Sequence, residues 1–170
     1  MMRWFARCGL LTLCFALVAC GWHLRGSSPD DTARLDGMEL HLSTRVGTSE
    51  LYREVRDALE GAGARLVSPG PGVPTLILSD ERTGARAITG GRRALVRETE
   101  LRYAMDWELR GADGEGLSNG ETFEQVRYYT AEQERELASR VRRDQVLLEL
   151  RRDVAQMLAT QVGTRLSREP

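Results

Sequence analysis

From Leu101 to Leu109 every second residue is large and apolar: Leu101, Tyr103, Met105, Trp107 and Leu109. Arg102, Asp106, Glu108 and Arg110 occupy the opposite parity. A period of two belongs to a β-strand, whose successive side chains point to opposite faces. This run therefore commits the chain to a sheet with one dry face and one wet face.

The other elements are placed around that strand. Met38 to Ser43 alternates in the same way, with Met38, Leu40 and Leu42 on one face. Thr48 is placed to cap a helix in which Leu51, Val55 and Leu59 recur at helical spacing, and Gly61 and Gly63 end it. Ser68 to Pro74 is a loop by its proline and glycine content. Thr75 to Asp80 is a third aliphatic strand, with pairing continuing towards Ile88, and Gly90-Gly91 marks a turn. Gly111 to Gly120, with Asp113-Gly114, reads as a hairpin loop before a last strand from Thr122 to Tyr129. Thr130 and Gln133 have the spacing of a capping box for the final helix. There Leu137, Val141, Leu148, Ala155 and Val162 recur over about thirty residues, and the pattern fades near Gly163. The expected fold is α+β: a small four-stranded mixed sheet with two helices packed on one face.

The chain opens with a basic segment, Met1 to Arg7, followed by the apolar run Leu10 to Val18. This order is that of a secretory signal, and the run is shorter than the roughly 20 residues of a spanning helix. Leu17-Val18-Ala19-Cys20 resembles the bacterial lipobox, which implies cleavage before Cys20 and acylation of that cysteine. Two or more acyl chains, palmitate among them, hold a protein at a bilayer where one does not. Gly21, instead of the Asp that retains many lipoproteins at the inner membrane, points by the same resemblance to the periplasmic face of the outer membrane. The expected organisation is a signal peptide over 1–19, a lipidated N-terminus and tether over 20–35, a folded domain over 36–163 and a polar tail over 164–170.

Cys8 and Cys14 leave with the signal and Cys20 is committed to lipid, so no thiol remains for a disulfide, catalysis or a metal. All 24 basic residues are Arg. Loss of Arg3 and Arg7 takes the formal net charge from -1 to -3, which with the compartment argues against nucleic acid. His23 and His41 lack the spacing of a metal or catalytic motif, and no Gly-x-Ser-x-Gly or phosphate loop is present. An enzyme is not expected, nor a cofactor.

The opening Cys20-Gly21-Trp22-His23-Leu24-Arg25-Gly26 resembles the mature start of the LptE (RlpB) family of lipopolysaccharide-assembly lipoproteins. In that family Cys-Gly-aromatic-x-Leu-Arg begins the mature chain. The Arg102-Tyr103-Ala104-Met105 and Val126-Arg127-Tyr128-Tyr129 segments also sit where the family keeps similar strands. The resemblance implies a plug inside the β-barrel of LptD that helps the barrel assemble and binds lipopolysaccharide, with no chemistry on a substrate. It further implies basic contact residues near the long alternating strand and the start of the last helix, where this chain has Arg92, Arg93, Arg97 and Arg140. On the residues alone, a free periplasmic outer-membrane lipoprotein that binds lipid or cell-wall ligands without a barrel partner stays open.

Overall fold

The computed structural model describes residues 35–45, 47, 49–88, 96–132 and 135–168. The signal, the tether as far as residue 34, Thr48, the Gly90-Gly91 turn and Gln133 lie outside them. The elements are β1 (Glu39–Thr44), α1 (Glu50–Gly61), β2 (Arg65–Leu66), β3 (Thr75–Ala87), β4 (Val96–Arg110), β5 (Gly116–Glu132) and α2 (Glu136–Leu166).

Among the described residues, five strands form one mixed sheet in the order β2-β1-β3-β4-β5. The expected four are corrected by β2, which runs parallel to β1. Two backbone bonds hold it there: Arg65 N–H donates to the Met38 carbonyl (2.8 Å) and Val67 N–H to that of Leu40 (3.0 Å). A two-residue strand carries no period, so only the register shows it. β1 and β3 are parallel, and β3, β4 and β5 antiparallel.

Leu101, Tyr103, Met105, Trp107 and Leu109 of β4 are all buried, as their alternation requires. They join Leu40 and Leu42 of β1, Leu76 and Leu78 of β3, and residues of both helices in one core. α1 contributes Leu51, Val55 and Leu59. α2 contributes Leu150, Val154, Leu158, Val162 and Leu166, with the small Ala155, Ala159 and Gly163 allowing close approach. Phe123 stacks on Trp107 at 5.8 Å, and the Arg165 guanidinium lies 4.7 Å from the Trp107 ring centroid. Such contacts add about 0.5–1.5 kcal/mol each to area burial.

Several boundaries differ from expectation for physical reasons. The α1 cap is Ser49, whose Oγ accepts from Tyr52 N–H at 3.3 Å. Gly63 has φ +97°, and a Cβ there would fall 2.5 Å from Asp36 Oδ1, so glycine is required at the turn. Leu35 belongs to the core, and its N–H donates to the Ala62 carbonyl. The β4–β5 loop is only Gly111 to Glu115. β5 starts early because the Ser118 hydroxyl oxygen, buried, accepts from Leu109 N–H (2.9 Å) at a register shift in β4. Thr130 does not open a helix: it pairs with Glu98 in the sheet. Strand pairing continues to Glu132, Arg135 takes the cap position without a side-chain bond, and α2 runs past Gly163 to Leu166.

A bulge divides the sheet into two halves. Asp80 and Glu81 together oppose Met105, between the Ser79–Asp106 and Arg82–Ala104 pairs, and Asp80 has φ +48°. In the near half, β1 pairs with β3 as far as Leu78. In the far half, β3, β4 and β5 continue without β1.

Candidate functional site

α2 has 31 residues, a length of about 46 Å at 1.5 Å per residue, yet its first buried side chain is Leu150. The helix therefore overhangs the core. Leu137 and Val141 share the phase of the buried Ala155 and Val162, but they are 77% and 51% exposed. This corrects the expectation that the whole stripe packs. Ile88 at the end of β3 and Tyr128 on β5, 46% and 58% exposed, lie in the same far half.

The end of β5 and the first turns of α2 are held together by Ser139. Its hydroxyl donates to the Glu132 carbonyl (3.1 Å) and accepts from the Glu132 N–H (2.9 Å). Between the two elements runs a groove of about 590 Å³ lined by Tyr128, Tyr129, Arg135, Arg142, Val146 and Glu149, among others. A second of about 310 Å³ is lined by Arg97, Ala131, Glu132, Glu136 and Ser139. The two share Glu132 and Ser139 and so adjoin.

The arginines differ in how their charge is met. On the open face of the sheet, Arg82 forks onto Asp106 through bonds of 2.8 and 2.7 Å. The Thr122 hydroxyl adds a third bond to that carboxylate (2.7 Å). Those donors, Arg82 first, hold the Asp106 carboxyl below the usual carboxylate range. Arg86 and Arg102 flank the buried Glu100 at 3.1 and 3.5 Å, and Arg102 reaches Glu124 at 2.6 Å. Arg45 and Arg110 share Glu108. This face is a ladder of satisfied ion pairs.

At the bulge, Arg151 of α2 pairs with Glu81 at 2.7 Å and with Glu50 at the start of α1. Arg151 and Glu81 side chains are only 14% and 13% exposed. The buried Tyr103 hydroxyl lies beside them, and burial first, then the Glu81 charge, pushes its pKa up. The cluster fastens the bulge to both helices.

Among the described residues, only Arg97, Arg142, Arg143 and Arg168 have a guanidinium without a carboxylate partner. Three of the four are in the far half, and Arg97 Nε is buried without any hydrogen bond. Their isolation follows from sequence: Arg97 faces Ala131 across the sheet, and no acid stands three or four residues from Arg142 or Arg143. Arg140, also expected at the site, is in the same helical turns but pairs with Glu136 at 2.6 Å. Arg92 and Arg93 lie outside the described residues, as does Cys20. Arg142 and Arg143 are additions to the expected set, hidden in sequence by the mixed charge of the helix around them.

The far end thus combines arginines outside ion-pair distance of a carboxylate with exposed apolar side chains, a combination suited to an amphiphile with anionic groups. Arg142 and Tyr128 line one groove with Glu149, and Arg97 lines the other with Glu132 and Glu136. Elsewhere, His41 Nδ1 is 3.0 Å from the Val67 carbonyl oxygen, to which it donates. No group of three or more metal-ligating side chains is assembled among the described residues, and none of their helices is long and apolar enough to cross a membrane.

None of the curated proteins matches the chain. Among solved structures, rare lipoprotein B from Shewanella oneidensis superposes with a TM-score of 0.67 at 23% identity, over 78% of this chain and 99% of that one. An uncharacterized lipoprotein B from Nitrosomonas europaea gives 0.67 at 18% identity, over 86% and 93%. A minor lipoprotein from Acinetobacter baumannii gives 0.59 at 17%, over 74% and 92%. These likenesses establish the fold. The lipopolysaccharide-assembly family model, LptE, matches residues 39–162, which is most of the chain, and the protein belongs to that family.

Proposed function

We propose that this chain is an outer-membrane lipoprotein, anchored through Cys20 on the periplasmic side, that scaffolds and plugs the LptD β-barrel and binds lipopolysaccharide during its assembly. It performs no chemistry on the lipid. Family membership supports the pathway. The observation that carries the ligand is the far end, where Arg97, Arg142 and Arg143 stand unpaired, Arg142 shares a groove with Tyr128, and Ile88, Leu137 and Val141 are exposed. Phosphates of a lipopolysaccharide take the guanidinium forks, and its acyl chains take the apolar side chains. Arg92, Arg93 and Arg140 complete the proposed contact set. The open face, whose charges are largely paired within the sheet, suits a polar barrel lumen.

Mild detergent extraction of cells and affinity purification of the full-length protein test this reading. A large β-barrel at roughly equal stoichiometry is expected. Recovery of the lipoprotein without a barrel would favour a free lipid- or cell-wall-binding lipoprotein instead. Cys20→Ala should leave the chain unacylated, as intact mass reports; an unchanged mass would refute the anchor.

A further inference from the structure

The far half of β3 leaves one edge of the sheet open. β1 stops opposite Leu78, and among the described residues no strand lies beside β3 beyond that point. Ile88 N–H donates to the Glu98 carbonyl, which fixes the phase of the antiparallel ladder. Arg82, Gly84 and Arg86 therefore bond to β4, while Thr83, Ala85 and Ala87 turn their N–H and C=O groups to the open side. The bulge sets this parity: the added residue swaps which positions face outward.

Exposed edges are normally blunted by charge, above all lysine, by proline, bulges, shortness or cover. Here the bulge stops at Glu81, and the charges beyond it are Arg82 and Arg86. This one has no lysine or proline from Glu81 to Ala87, and its outward positions carry small, exposed side chains. It is a template for an added strand.

The charges indicate what that strand carries. Across the open face, acid and base alternate from Glu124 to Arg102, to Glu100, to Arg86. Asp106 is followed by Arg82 in the same sense. Both rows end on an edge arginine, with Arg82 and Arg86 52% and 73% exposed. Arg82 gives two of a guanidinium's five N–H donors to Asp106 and Arg86 one to Glu100, so both keep donors for a further carboxylate. We propose that the β3 edge from Thr83 to Ala87 accepts, by strand addition, an extended segment of another polypeptide with carboxylates four residues apart, opposite Arg82 and Arg86. Opposite charges facing across paired strands stabilise, whereas like charges repel. The proposal is independent of the lipopolysaccharide reading.

The test uses the full-length protein in mild detergent and the peptide Thr-Val-Glu-Val-Thr-Val-Glu-Val-Thr, capped at both ends, with a twin bearing Lys for Glu. The acidic peptide should slow amide exchange at Thr83, Ala85 and Ala87 by about tenfold or more, leaving Arg82, Gly84 and Arg86 unchanged. Ala85→Pro, which removes an N–H that β4 does not use, should abolish this slowing, and R86E, which leaves one charge of each sign at the edge, should abolish the preference between the two peptides. Circular dichroism verifies that both variants fold; if the proline variant does not, R86E decides. No slowing at the three amides of the unsubstituted protein, or equal slowing there by both peptides, overturns the proposal. So does a peptide-free dimer that A85P dissolves, because the occupant would then be a second copy.

Discussion

The two halves of the sheet are built from the same strands and end up with opposite characters. In the near half, β3 and β4 lie between β1 and β5 under both helices, and Leu76, Leu78, Trp107 and Leu109 are buried. In the far half β3 is an edge, α2 overhangs its own core, and apolar side chains of the same helical phase meet water. Ion pairing on the helix differs in reach: Arg151, Arg152 and Arg165 each meet a carboxylate of another element, Arg135 and Arg140 meet only acids three or four residues away, and Arg142 and Arg143 meet none. One half spends its chemistry on folding. The other keeps groups available for a partner.

That contrast is breakable by stability measurements. Trp107→Ala should cost about 3–5 kcal/mol in urea denaturation, since it empties a packed site between Phe123 and Arg165. Leu137→Ala should change stability by less than about 0.5 kcal/mol. Equal effects would show that the overhanging helix is buried after all. Glu81→Gln should cost about 2 kcal/mol, less than a fully buried pair because Glu81 and Arg151 retain some solvent access. A neutral outcome would detach the bulge from the boundary between the halves.

The smallest effect concerns pH. The Asp106 carboxyl titrates lower when folded than when unfolded, so it adds stability above its unfolded pKa of about 3.9. That contribution is lost as pH falls through the folded value. Asp106→Asn should therefore flatten the stability–pH curve below about pH 4 and leave its shape at neutral pH alone. An unchanged acid limb would mean that the Arg82 fork is not formed in solution.

The alternation of Leu101 to Leu109 announces the buried face of β4, and Leu51, Val55 and Leu59 announce that of α1; both faces are in the core. β2 is illegible in sequence because two residues have no period. The capping box at Thr130 and Gln133 misleads because it is a local signal, while Thr130 is claimed by Glu98, far away in sequence. Leu137 and Val141 show a further limit. Periodicity encodes the phase of a helix, not whether a body lies beneath it. Of the candidate cations, Arg97 is visible as part of an arginine-rich stretch. Arg142 and Arg143 are hidden by the mixed charge around them, and the one signal that could have found them is the lack of an acid three or four residues away.

The central claim is that the unpaired arginines of the far end hold anionic lipid. Lipopolysaccharide titrated against the full-length protein and the triple variant R97A/R142A/R143A, at about 0.15 M salt where exposed pairs are screened, tests it most directly. The account predicts affinity weaker by about tenfold or more with an unchanged urea midpoint. Equal affinity in the two proteins would contradict it.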